Sequence, residues 1–180
     1  MLIDSAKGVE AQTIKLFKVC RMRGIPIFTF INKLDREGRN PFDLLEEIEQ
    51  VLGIRSCPMN WPIGSGKQFR GVYDRERKQV ELYDPDGEHR IRVRPVAGYD
   101  DPAVREIAGD ELYGDLRQDL ELLDVAGDPF DMDKVGKGEL TPVFFGSAIN
   151  NFGVQTFLEY FLRLAPPPQP RRVKDGIVEP

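Results

Sequence analysis

Asn32, Lys33 and Asp35, with Leu34 between them, come directly after the apolar run Ile25-Pro-Ile-Phe-Thr-Phe-Ile31. A carboxylate such as Asp35 can accept two adjacent N–H donors at once, which is what the pairing edge of guanine offers. Adenine would set a lone pair against the same carboxylate. The Asn32 amide both donates and accepts, so it can meet a ring nitrogen while holding a neighbouring loop. Lys33 can lay its methylene stem along the base plane. By analogy with bidentate base contacts in nucleic acids, such a pair discriminates by about 1–3 kcal/mol. Alone, the pattern has a simpler reading: a strand ending in a polar turn, with Asp35 capping the next segment.

A second stretch bears on that choice. Pro142-Val-Phe-Phe-Gly-Ser-Ala148 is another apolar run that breaks off into small residues. Small side chains let backbone approach a ligand closely, so the N–H groups of Ser147 and Ala148 are candidate donors to the guanine carbonyl.

Both runs read as strands buried on two sides in a parallel sheet, and in open α/β sheets ligands bind beyond the carboxyl ends of such strands. Met1-Leu2-Ile3 reads as the tail of a further strand. A helix is expected over 10–23, with Ile14, Phe17 and Cys20 or Arg21 at helical spacing and Gly24 as a stop. Asn40 reads as an N-cap, Pro41 as the first helical residue of a helix over 42–52, and Gly53 as its end. Phe42, Leu45, Ile48 and Leu52 form its apolar stripe, and Asp43, Glu46, Glu47 and Glu49 a solvated acidic face. Residues 54–140 read as an inserted α+β unit. Its expected strands lie at 72–73, 80–82 and 91–93, with a turn at Asp84-Pro-Asp-Gly87 and helices over 109–124 and around 131–136. Val154, Phe157, Leu158, Phe161 and Ala165 would stripe a last helix. Residues 166–180, beginning Pro-Pro-Pro-Gln-Pro, read as a stiff linker toward a further domain.

Together the two stretches resemble the base-recognition motifs of GTP-binding proteins. The resemblance narrows to the translational GTPases through Asp4-Ser-Ala-Lys-Gly-Val-Glu-Ala-Gln-Thr13 and Ser147-Ala-Ile-Asn-Asn-Phe-Gly-Val154. Within that family, Trp61-Pro-Ile-Gly-Ser-Gly-Lys-Gln-Phe-Arg-Gly-Val-Tyr-Asp74 and Thr141-Pro-Val-Phe-Phe-Gly146 look most like the bacterial release-factor branch; the elongation factor G branch is the near relative.

The resemblance implies a partial P-loop GTPase domain carrying an inserted subdomain, with residues 1–53 and 141–165 in the GTPase part. It implies guanine contacts from Asn32, Lys33, Asp35, Ser147 and Ala148, and GTP or GDP as ligand, with magnesium in the intact protein. It also implies a ribosome-dependent role in termination, with the ribosome and class I release factors as partners, in the cytoplasm. A translocase fragment and a non-catalytic module with a vestigial base pocket are the competing readings.

The family's Gly-Lys-Ser/Thr loop, its switch threonine and its Asp-x-x-Gly segment followed by His do not occur between Met1 and Pro180. The expectation is a truncated gene product, inactive alone, with no catalytic residue or metal ligand. Its first strand is expected to be an exposed apolar edge prone to self-association.

Composition narrows the classes further. The 180 residues are 41% hydrophobic, enough for a real core, and carry net charge −5, so no global basic field draws the chain to nucleic acid. No apolar run approaches the roughly 20 residues of a membrane span. Cys20 and Cys57 without a secretory start suggest reduced thiols. Gly64-Ser-Gly-Lys67 lacks the leading Gly and trailing Ser or Thr of a phosphate loop and reads as a turn between strands. Arg90, Arg92 and Arg94 read as a solvated strand face, and His89 as an exposed residue. Asp128, Asp131 and Asp133 lack calcium-loop spacing and read as helix-capping and surface charges.

Overall fold

The structure is a computed structural model, and it describes residues 1–83, 92–166, 171–173 and 176–178. The chain runs β1 (Leu2–Asp4), α1 (Ala11–Met22), β2 (Thr29–Asn32), α2 (Pro41–Leu52), β3 (Arg55–Pro58), β4 (Asn60–Ile63), β5 (Gly71–Asp74), β6 (Gln79–Leu82), β7 (Arg92–Pro95), α3 (Pro102–Ala108), α4 (Asp110–Ala126), α5 (Met132–Gly136), β8 (Leu140–Phe145), α6 (Val154–Leu164), β9 (Arg171–Val173) and β10 (Gly176–Val178). The expected turn at Asp84–Gly87, together with His89 and Arg90, lies outside the described residues.

The first sheet has the order β1-β2-β8-β3 and is parallel throughout. Its strands show why near-continuous apolar runs were needed. Ile31, Val143 and Phe145 join one core cluster while Phe30 and Phe144 join the other, so alternate side chains are buried on opposite faces. Phe17 of α1 and Leu44, Leu45, Ile48 and Leu52 of α2 belong to the first cluster. Val135 of α5 and Tyr160 of α6 belong to the second. The buried threonines Thr29 and Thr141 satisfy each other at 2.8 Å, and Thr141 also bonds the Ile27 carbonyl oxygen at 2.8 Å.

Helix α2 carries the ends its sequence announced. The Asn40 side chain accepts from the Phe42 N–H at 2.8 Å, Pro41 opens the helix, and Gly53 closes it in the left-handed region at φ 66°. The acidic face is less solvated than its pattern suggests. Glu47 pairs with Arg39 and accepts from the Val9 N–H, and Glu49 accepts from the Ser56 N–H and hydroxyl at 3.0 and 2.6 Å.

The second sheet is antiparallel with the order β4-β5-β6-β7. Strand β4 escaped the sequence reading because Pro62 discourages a strand; it is tolerated here because β4 is an edge, where a missing N–H costs no ladder bond. Gly64–Lys67 lies in the connection from β4 to β5, where Gly66–Gln68 form a short 3-10 helix rather than the simple turn expected. Helix α3 was also missed, although Asp101 and Pro102 form a cap and first turn, with the Asp101 carboxylate accepting from the Ala103 N–H at 2.9 Å. On α4, Leu116, Leu120 and Leu123 are buried.

Three boundaries differ from those read in the sequence. Arg55–Pro58, placed in the insertion, is a strand of the first sheet; its Arg-Ser-Cys-Pro composition carries no buried-strand signal, and pairing with β8 decides the matter. Helix α5, also placed in the insertion, buries Val135 in the cluster shared by β2, β8 and α6. Within the expected linker, β9 and β10 pair antiparallel.

The last helix is the clearest reversal. Its buried residues are Thr156 and Tyr160, while Leu158 and Phe161 are 50% and 41% exposed. The inserted sheet presents two buried carboxylates to it. The Tyr160 hydroxyl donates to Asp74 at 2.9 Å, and the Thr156 hydroxyl donates to Glu81 at 2.7 Å. Hydrogen bonding turns the polar side of the helix inward, while Phe157 still packs edge-on against Phe30 and Phe144.

Candidate functional site

The carboxyl ends of β2 and β8 lie side by side, because the two strands are hydrogen-bonded neighbours with Ile31 opposite Phe145. Lys33 adopts φ 74°, a left-handed conformation that turns the chain out of β2 just beyond Asn32. The Asn32 Oδ1 accepts the Lys33 N–H and the Ala148 N–H, both at 2.8 Å. One side chain therefore fixes its own turn and clasps the loop after β8. Two donors on Oδ1 also set the amide's orientation.

The Lys33 ammonium reaches Asp4 at the end of β1 at 2.6 Å, and its carbonyl accepts from the Ser5 hydroxyl at 3.2 Å. The Lys33 hydrogen bond holds the Asp4 carboxyl below its usual range, with the Ala6 and Lys7 N–H groups helping.

On the other tip, Gly146 is required by space. A Cβ there would stand 2.5 Å from the Phe152 carbonyl oxygen and 2.7 Å from the Phe30 ring. Ser147 is fully buried, and its hydroxyl donates to Asp35 Oδ1 at 2.5 Å. The loop closes on itself through the Ser147 N–H to the Phe152 oxygen at 3.0 Å and the Phe152 N–H to the Ser147 oxygen at 2.9 Å. Ala148 and Ile149 are exposed at its crest.

All five candidate residues thus meet at one place. The details differ from the expectation in one respect: the Ser147 and Ala148 N–H groups are already engaged, with Phe152 and Asn32. Ser147 acts here through its hydroxyl, which sequence reasoning did not anticipate. The Asp35 carboxylate retains acceptor capacity on both oxygens beyond the Ser147 bond.

The inserted unit supports both tips through residues that carry no signal in the sequence. The Asn60 side chain grips the Phe145 backbone twice, donating to its oxygen at 3.1 Å and accepting from its N–H at 2.7 Å. The Gly66 N–H donates to the Leu34 oxygen at 3.0 Å.

A cavity of about 520 Å³ lies elsewhere, lined in part by Cys57, Arg75, Asp124 and Phe130, with no residue of either tip in its wall. Burial pushes the Cys57 thiol up to about 11, so it stays protonated and unreactive. Among the described residues, no group of three or more His, Cys, Asp or Glu side chains could hold a metal ion, and no helix is long and apolar enough to cross a membrane.

Proteins described as peptide chain release factor 3 from Symbiobacterium thermophilum and Gloeobacter violaceus are 61% and 55% identical over 100% of this chain and 34% of their own length. One from Enterococcus faecalis is 54% identical over 98% of this chain and 34% of its own. The chain thus spans about a third of the length of the curated relatives it matches. A crystal structure from Thermus thermophilus shares the fold, with a TM-score of 0.64 at 22% identity over 92% of this chain and 26% of that one. A family model described as the elongation factor Tu GTP binding domain matches residues 1–167, and the chain belongs to that family.

Proposed function

We propose that this chain reads the guanine base of GTP or GDP for a ribosome-dependent GTPase of translation termination. The observation that carries the reading is the meeting of Asp35, Asn32 and the Ser147–Ala148 loop beyond two adjacent parallel strands. Asp35 accepts the two N–H groups of the guanine edge, Asn32 Nδ2 meets a ring nitrogen, and the stem of Lys33 lies along the base. With Asn32 Oδ1 and the base competing for it, the Ala148 N–H turns to the guanine carbonyl as the nucleotide enters. Phosphate and magnesium contacts come from outside these residues, so no hydrolytic step is placed on them.

The relatives' description as peptide chain release factors supports a role in translation termination; promoting departure of class I release factors from the ribosome, in the cytoplasm, is the finer reading we attach to it. Family membership alone is equally consistent with a translocase of the elongation factor G kind; the Trp61–Asp74 stretch and the identity to proteins described as release factor 3 favour termination. We divide the chain into a nucleotide part, with the first sheet and its helices, and an inserted part from Asn60 to Ala126. Alone, the chain is expected to self-associate through the β1 edge, where Leu2 is 60% exposed, beside Leu16 and Met22 of α1 at 58% and 79%.

The test places this chain in the matching third of the full-length Symbiobacterium thermophilum relative and measures nucleotide binding by calorimetry. Asp35→Asn exchanges an acceptor for a donor, so guanine nucleotides should weaken at least about tenfold while xanthine nucleotides tighten. An unchanged preference removes Asp35 from the base-reading role.

A further inference from the structure

Beyond the five base-reading residues, one hydrogen-bonded relay joins the inserted sheet to the pocket. Tyr83 comes directly after β6, and its backbone is pinned by its N–H to the Arg70 oxygen at 2.8 Å. Its hydroxyl accepts from Asn150 Nδ2 at 3.0 Å. The same Nδ2 donates to the Ser147 hydroxyl oxygen at 3.1 Å, and that hydroxyl donates on to Asp35. The order of donors is fixed along this path. Asn150 fills an acceptor site of the Ser147 oxygen, so the Ser147 proton is directed at the carboxylate.

We infer that Tyr83 and Asn150 are positioning residues for the guanine base, setting through Ser147 where the Asp35 carboxylate stands. This rests on the base-reading function proposed above. Each acts through the next group along the relay. The Tyr83 ring has a separate role, packing against Phe69 and Phe152 with centroids 5.1 and 5.5 Å apart. Ring and hydroxyl can therefore be tested apart. Tyr83→Phe keeps the ring and its packing while removing the acceptor. Asn150→Ala removes both donor contacts.

The inserted unit touches both tips of the pocket: the hydroxyl of Tyr83 serves the loop after β8, and the Gly66 N–H holds the Leu34 oxygen between Lys33 and Asp35.

Two measurements test the relay. In this chain without nucleotide, Tyr83→Phe should speed hydrogen exchange of the Ala148–Phe152 amides about fivefold, as expected for one lost hydrogen bond, and leave the β2 and β8 amides unchanged. In the full-length chimera, the same substitution should speed release of a fluorescent GDP about fivefold, and Asn150→Ala about tenfold or more, with the melting temperature of Tyr83→Phe unchanged. A purely structural role would move the melting temperature and spread the faster exchange over the whole chain. Unchanged loop exchange beside normal wild-type GDP binding overturns the relay alone. Faster loop exchange with unaltered GDP release shows that the relay orders the loop without positioning the base, and overturns the inference. Absence of GDP binding by the unsubstituted chimera overturns the base-reading function itself, and the inference with it.

Discussion

The hydroxyl of Ser147 donates to the carboxylate of Asp35 at 2.5 Å across 112 positions of sequence. Both residues stand just past the ends of adjacent parallel strands, so the sheet brings them together and the hydrogen bond locks their loops. Ser147 is fully buried, which means its hydroxyl cannot turn to water instead.

Removing that hydroxyl should loosen the carboxylate without emptying the core. Ser147→Ala is expected to weaken GDP binding about tenfold in the chimera, the scale of a hydrogen bond to a charged group. Stopped-flow nucleotide exchange measures it. Binding within about twofold of wild type would mean that Asp35 needs no such clamp.

Asn32 offers a cleaner separation of loop holding from base reading. Asn32→Asp keeps the acceptor that takes the Lys33 and Ala148 N–H groups but loses the Nδ2 donor and sets a second negative charge near Asp35. The expected outcome is a loop still protected from hydrogen exchange and guanine affinity lowered by about a hundredfold. Retained affinity would show that the amide donor contributes nothing to recognition.

Trp61 ties the inserted sheet to its surroundings. It is fully buried, packs edge-on against Phe145, and donates its indole N–H to Asp119 at 3.0 Å. Trp61→Ala should cost about 3–5 kcal/mol in urea unfolding, from the cavity left behind. Burial already holds the Asp119 carboxyl above its usual range, and losing the indole donor should raise it further. A loss below about 1 kcal/mol would mean that the neighbouring rings collapse to fill the space.

The carboxylates facing α6 give a pH dependence of defined sign. Burial raises Glu81 above its ordinary value, with Asp74 adding to the rise while Thr156, Arg77 and Gln79 oppose it; burial likewise raises Asp74 against the Arg77, Glu76 and Tyr160 partners. The folded chain therefore holds these protons more tightly than the unfolded one. Stability present below the ordinary carboxylate range is lost as pH rises through the raised values. Thermal melts should fall in midpoint as pH climbs from the ordinary Glu value of 4.5 toward neutrality, and Glu81→Gln should flatten that slope. Superimposable slopes for the two proteins would remove Glu81 as the source. Among the described residues the Oε2 of Glu81 has no hydrogen-bond partner, which is the structural counterpart of the same strain.

Much of the fold was legible where local chemistry acts alone. Asn40, Pro41 and Gly53 mark α2 because caps are satisfied within a few residues, and Asp131 marks α5 by accepting from the Asp133 and Lys134 N–H groups. The two apolar runs ending in polar or small residues showed the pocket's strands, since burial on both faces leaves an unbroken hydrophobic record. What local chemistry does not record is which neighbour a side chain will meet. The Ser147 hydroxyl, the Asn60 grip on Phe145, and the inward turn of Thr156 and Tyr160 each depend on a partner at least 75 positions away. The place of β3 in the first sheet is of the same kind, because Arg-Ser-Cys-Pro becomes a strand only when β8 supplies the hydrogen bonds. The sequence by itself determined the strand tips and the residue types waiting there. The tertiary structure decided their partners, because a buried polar group is placed by whatever satisfies its hydrogen bonds, and only the packed chain brings those groups within reach.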